Sequence, residues 1–175
     1  MKGWYLLKGM VLAMALFALP LQADQSYRLG PGDHIDIRVH GQDDLALSVQ
    51  LTDSGTINYP FLGTIQLAGL TLKEVEQLLH NGLQGDYLVS PSVYVGITEY
   101  RPFYIHGEVR RPGGYPYQPG MTVNQAIALA GGLTERASRD RIQISREGQK
   151  NEPEQANVNS RVFAGDTITI SQRFF

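Results

Sequence analysis

The strongest constraint on this chain is a passage that occurs twice: a strand-like segment carrying Tyr-Pro, followed by Gly-x-Thr opening a helix. The first copy runs Gly55-Thr56-Ile57-Asn58-Tyr59-Pro60, then Gly69-Leu70-Thr71-Leu72-Lys73-Glu74-Val75. The second runs Gly114-Tyr115-Pro116-Tyr117, then Gly120-Met121-Thr122-Val123-Asn124-Gln125-Ala126. Thr71 with Glu74, and Thr122 with Gln125, fit the capping box, in which the hydroxyl accepts from the third helical amide and the longer side chain reaches back. After Thr71, residues Leu72, Val75, Leu78, Leu79 and Leu83 share one helical face. After Thr122 the apolar residues are Val123, Ala126, Ile127, Leu129 and Ala130, stopped by Gly131-Gly132, which can adopt the left-handed cap. Two readings stay open: a repeated structural unit, or two capped amphipathic helices that look alike.

Strand patterns surround both helices. Ile35, Ile37 and Val39 alternate with polar residues, as do Val93, Val95 and Ile97 after Pro91. Phe103 to Val109 forms a further strand, ended by the turn Arg110-Arg111-Pro112-Gly113-Gly114; Ile142 with Ile144 and Ile168 with Ile170 alternate again. Pro31-Gly32-Asp33 and Ala164-Gly165-Asp166 are turn chemistry that launches a strand. The pattern predicts an α+β fold of two small domains of short strands with one capped helix each, dividing near Glu99 to Pro102. The domains run over 25–98 and 102–150, with 151–175 a loop and a C-terminal strand; Arg146 to Ser160 is polar enough for a surface loop.

The first residues have the layout of a secretory signal peptide: Lys2 and Lys8, an apolar run from Gly9 to Leu19, Pro20, then Leu21-Gln22-Ala23. Cleavage is expected between Ala23 and Asp24, because the run is shorter than the roughly 20 residues that span a bilayer. Removing residues 1–23 leaves 13 Lys and Arg against 17 Asp and Glu, a net charge of −4. A mildly acidic chain without a basic run has no electrostatic basis for binding nucleic acid. With no cysteine, disulfides, thiolate chemistry and a lipidated cysteine are excluded.

No catalytic constellation emerges, and no cofactor is implied. His34, His40, His80 and His106 lack the spacing of a zinc helix motif. Asp43 and Asp44 diverge on extended backbone and are expected to solvate a loop. Tyr100, Tyr104, Tyr115 and Tyr117 cluster with Arg101, Arg110 and Arg111. Tyr100, Arg101, Tyr115 and Tyr117 are candidate saccharide contacts, since sugars are commonly held by aromatic faces beside hydrogen-bonding groups. The alternative is that tyrosines simply favour half-buried strand positions.

Tyr27 to Val39, including Gly30, Pro31, Gly32 and Asp33, resembles the opening of the bacterial outer-membrane polysaccharide export family. The resemblance continues through Asp53 to Ile57, Tyr59 to Gly63 (with Pro60 and Gly63), Ala68 to Thr71, and Ser90 to Val95 around Pro91. The second domain is similar to an SLBB soluble-ligand-binding β-grasp domain. Its matching residues include Gly107, Glu108, Val109, Pro112, Gly113, Gly131 and Gly132. The resemblance implies a non-enzymatic component of capsule or exopolysaccharide export, located in the periplasm and associated with the outer membrane. It implies a homo-oligomeric ring around the polysaccharide, docked on an inner-membrane chain-length regulator (co-polymerase). Fuller family members have a lipid-anchor cysteine, several β-grasp units and a C-terminal amphipathic helix. Their lack here leads to the expectation of either a separate outer-membrane β-barrel partner or a periplasmic accessory role. The rival expectation is a monomeric periplasmic sugar-binding or sensing module.

Overall fold

The computed structural model describes residues 27–148 and 152–173; the expected signal peptide and its cleavage point at Ala23 and Asp24 lie outside them. In the first domain, β1 (His34–Val39) is the middle of a three-stranded antiparallel sheet between β2 (Gln42–Gln50) and β5 (Val93–Glu99). A hairpin of β3 (Thr56–Tyr59) and β4 (Gly63–Gln66) and the helix α1 (Leu72–Leu83) complete it. The alternation read in β1 is realised: Ile35, Ile37 and Val39 are buried against Val75, Leu79 and Leu83 of the helix. Burying three such helix side chains stabilises by about 1.5–3 kcal/mol each.

The capping box on α1 is complete, with the Glu74 amide donating to the Thr71 hydroxyl at 3.2 Å and the Thr71 amide donating to Glu74 at 2.7 Å. Hydrogen bonds from the backbone and side chain of Thr71, aided by Arg28, hold the Glu74 carboxyl below the usual range. A depressed carboxyl stabilises the fold above its unfolded pKa and loses that effect as pH falls through the folded value. Thr71→Ala is expected to cost about 1 kcal/mol, read as a lower urea midpoint at unchanged slope.

The second domain is a five-stranded mixed sheet in the order β7 (Gly113–Tyr115), β6 (Phe103–Gly107), β10 (Thr167–Gln172), β8 (Ala137–Ser145), β9 (Glu154–Ala156). Its first and last strands, β6 and β10, run parallel side by side at the centre, as in a β-grasp, and the other pairings are antiparallel. The core is Phe103, Ile105, Ile142, Ile144, Ile168 and Ile170 against α2 (Val123–Leu129). Gln125 reaches back to the Thr122 amide at 2.9 Å, and Gly131 and Gly132 both have positive φ at the helix end.

Four details depart from the sequence pattern. Leu129 is 40 % exposed, because the buried stripe is Val123, Ala126, Ile127 and Ala130, and residue 129 falls beside it. The strand from Phe103 ends at Gly107, whose φ of 88° turns the chain before Val109. Asp43 and Asp44 lie on the exposed part of β2 rather than in a loop; an edge strand with one wet face tolerates both. The polar stretch after Arg146 contributes the edge strand β9, too short and too exposed to leave an apolar alternation. The two Tyr-Pro passages share their capped helices but feed sheets of different topology.

Candidate functional site

The motif residues Gly30 to Asp33 form a turn closed on itself. The Asp33 amide donates to the Gly30 carbonyl at 3.2 Å, and the Gly30 amide donates to the Asp33 carboxylate at 2.8 Å. Gly32, with φ of 91°, supplies the left-handed step. Asp33 is 0 % exposed, and a buried carboxylate is tolerated only when paired and hydrogen-bonded. Its partners come from the linker and from the start of the described chain. The Arg101 amide donates to it at 2.8 Å, the Arg101 guanidinium at 2.8 Å, and the Tyr27 hydroxyl at 2.7 Å.

Arg101 extends the network into the second domain by donating to Glu147 at 2.6 Å, and it donates to the Tyr27 hydroxyl at 2.6 Å. Burial works against its charge, but Tyr27, Asp33 and Glu147 outweigh that and raise its pKa. Tyr27 is pushed well above the ordinary tyrosine value, first by burial and then by its hydrogen bond to Asp33. Two glycines make the slot for the guanidinium. A Cβ on Gly30 would lie 2.6 Å from its Cζ, and one on Gly165 would run into the Glu147 carboxylate and approach Arg101 Nε at 3.1 Å. The ring of Tyr27 packs against both hydrophobic cores, so the junction of the domains is polar at its centre and aromatic around it.

The second Gly-Asp turn repeats the device. The Asp166 amide donates to the Phe163 carbonyl at 3.2 Å, the Phe163 amide donates to Asp166 at 2.7 Å, and Arg146 pairs with the same carboxylate. Both aspartates are buried at the base of a central strand, Asp33 before β1 and Asp166 before β10. Asp33 has every carboxylate oxygen occupied by donors, which suits it to fixing the angle between domains and not to moving protons.

Of the candidate saccharide contacts, Tyr100, Arg101 and Tyr117 come together here. Tyr100 meets Tyr27 edge-on at 4.8 Å between centroids and Tyr117 at 5.4 Å. Tyr115 lies apart, stacked on Phe103 and donating to the Arg111 carbonyl at 2.7 Å. All four are engaged inside the protein, whereas Tyr104 from the same cluster is 50 % exposed.

The remaining motif positions are turns and braces. Pro60 and Gly63 bracket the β3–β4 tip, where Phe61 has a φ of 65° and stacks, exposed, on Tyr87 at 4.8 Å. The Pro91 carbonyl is bonded to His80 Nδ1 at 2.7 Å. Glu108 accepts from the Thr134 hydroxyl, Val109 is buried beside the bridge to Leu133, and Pro112 and Gly113 lead into β7. His34 lies 3.9 Å from Glu99 and His106 lies 3.1 Å from Thr169, while His40 is exposed in the β1–β2 turn. Glu147 was not singled out by sequence; its only signal was a position between the Ile142–Ile144 strand and the polar stretch.

Two family models match in tandem: the polysaccharide biosynthesis/export protein model over residues 21–98 and the SLBB domain model over residues 102–156. The chain is 34 % identical over 156 residues to the exopolysaccharide production protein ExoF of Rhizobium meliloti, covering 79 % of this chain and 37 % of that protein. It is 27 % identical over 162 residues to the polysialic acid transport protein KpsD of Escherichia coli, covering 84 % of this chain and 28 % of KpsD. It is 28 % identical over 151 residues to the EPS I polysaccharide export outer membrane protein EpsA of Ralstonia nicotianae, covering 71 % and 39 %. The chain therefore spans well under half the length of each of these relatives. With an export domain and an SLBB domain joined through the Asp33 turn, the chain belongs to the polysaccharide export family.

Proposed function

We propose that this chain is a component of a capsule or exopolysaccharide export apparatus in the periplasm, associated with the outer membrane, and that it acts without a catalytic step. The observation that carries this is the tandem of export and SLBB domains, with the export motif's own aspartate forming the joint between them. Copies of the chain form a ring whose lumen confines a hydrated polymer; a heterologous interface gives a ring when its rotation closes. Weak, scattered contacts suit such a passage, since tight binding would oppose throughput. The partners are the polysaccharide, further copies of the chain and an inner-membrane chain-length regulator. The rival is a monomeric periplasmic sugar-binding module. Deleting the gene in its host tests the proposal: surface polymer is expected to fall while polymer accumulates inside the envelope. Unchanged surface polymer would favour the rival.

A further inference from the structure

Apolar side chains left on the surface gather where two loops of the first domain meet. Of the six exposed large hydrophobic side chains among the described residues, three lie there: Phe61 at 60 %, Tyr87 at 46 % and Val89 at 93 %. Each loop is pinned from within by a leucine. Leu62 packs on the core and lies over Gly82 of α1, where a Cβ would be 2.9 Å from its Cδ1. Leu88 packs on the same core, and its amide donates to the Leu83 carbonyl at 2.9 Å. Their neighbours face out, the Phe61 and Tyr87 rings stacking at 4.8 Å between centroids. Phe61 holds this position at a φ of 65°, the only positive value at a non-glycine among the described residues. That conformation suits glycine, so an exposed aromatic ring is kept where the backbone argues against one. Strain of this kind concentrates at functional sites.

The chain around the patch is free of charge. The sequence has no charged side chain between Asp53 and Lys73 or between Asp86 and Glu99. Beyond these stretches the domain is acidic, with Arg28, Arg38 and Lys73 against eight Asp and Glu over residues 27–98. One aromatic side chain buries about 150–250 Å² when fully covered, so the three exposed fractions offer roughly 350 Å². A stable protein–protein contact takes about 800 Å² from each partner, and the patch falls well short of that. Contact with a bilayer has no such minimum, because each apolar side chain that enters the acyl boundary adds its own burial. Tyrosine suits that boundary, its ring apolar and its hydroxyl wet.

Resting on the export reading and its membrane association, we infer that the Phe61, Tyr87 and Val89 patch sits on a lipid surface of neutral, zwitterionic headgroups. Phe61 and Val89 enter the boundary between headgroups and acyl chains, and Tyr87 stays at headgroup level. The acidic remainder of the domain disfavours an anionic surface.

The test uses the full chain and vesicles of phosphatidylcholine. With no cysteine in the sequence, Val89→Cys gives a single site for an environment-sensitive dye. Its emission is expected to move to shorter wavelength when vesicles are added, whereas a dye at Ser48→Cys, exposed on β2, stays unchanged. Co-sedimentation reads the strength of the contact. Phe61→Gly, which the positive φ favours, and Val89→Ser, at a site in open solvent, keep the fold and are each expected to weaken partition about three- to tenfold. The apolar run from Gly9 to Leu19 is common to every variant and cannot produce the difference. Mixing in phosphatidylglycerol at low salt is expected to weaken partition as well.

The inference is overturned if the wild-type chain stays in solution, if both variants partition as wild type, or if the dye at residue 89 does not shift. Stronger partition on phosphatidylglycerol overturns it too. So does a change in oligomeric mass by light scattering in Phe61→Gly with partition unaltered, which would make the patch a protein contact. No partition, with polymer held inside the envelope of the deletion strain, removes this inference and leaves the export reading standing. Partition with normal surface polymer keeps the membrane contact and removes the export reading.

Discussion

Asp33→Ala is expected to destabilise the protein by about 3–5 kcal/mol, because it removes one member of a buried ion pair and leaves its partner without it. The loss is compound. Arg101, whose side chain is 14 % exposed, keeps only Glu147 as a carboxylate partner, and the amides of Gly30 and Arg101 lose their acceptor. Such orphaned donors carry the full desolvation penalty. Asp33→Asn, which retains one carbonyl oxygen, is expected to cost less. Because the residue joins two separate cores, the alanine variant should unfold in two steps where the wild type unfolds in one. Guanidinium denaturation followed by tyrosine fluorescence and circular dichroism reads both effects. Asp33→Ala and Arg101→Ala remove one shared interaction, so the double variant should lose less than the sum of the singles. A cost below about 1 kcal/mol with a single transition would show that the junction is held by the surrounding tyrosines instead.

Gly107→Ala is the second large effect, expected at roughly 2–4 kcal/mol. Gly107 ends β6 at a φ of 88°, and an added Cβ would run into the backbone carbonyl of Ile170 in the neighbouring strand. That carbonyl is held in place, accepting from the Glu108 amide at 2.9 Å, so relief requires parting β6 from β10, the parallel pair at the centre of the sheet. Gly120→Ala separates strain from clash. Gly120 has a φ of 83° with nothing within 4 Å of the would-be Cβ, so only the left-handed penalty of about 1 kcal/mol applies. Thermal unfolding of the two variants side by side checks the difference; equal losses would contradict the steric account.

The parts of this fold that local chemistry dictates were legible in the sequence. Thr71 and Glu74 announced the helix cap, the alternation of Ile35, Ile37 and Val39 announced the central strand, and Gly32-Asp33 and Gly165-Asp166 announced the two turns. What local pattern cannot carry is partnership across sequence distance. Arg101 grouped with tyrosines as a sugar contact because its neighbours in sequence are Tyr100 and Tyr104. Its actual partner lies 68 residues earlier. The β9 strand was invisible because an edge strand of three residues buries almost nothing. Tyr104 could not be told from Tyr115 or Tyr117 by sequence, since which tyrosine stays exposed depends on Gly114 lying in the next strand and on α2 covering the other face.

The export role itself is tested most directly in living cells. In a strain lacking the gene, newly made polysaccharide is pulse-labelled and chased, and label is counted at the cell surface and inside the envelope. The wild-type chain is restored in a parallel culture. The account predicts label held inside the envelope without the chain and delivered to the surface once it is restored. Label reaching the surface at the same rate in both cultures would contradict it.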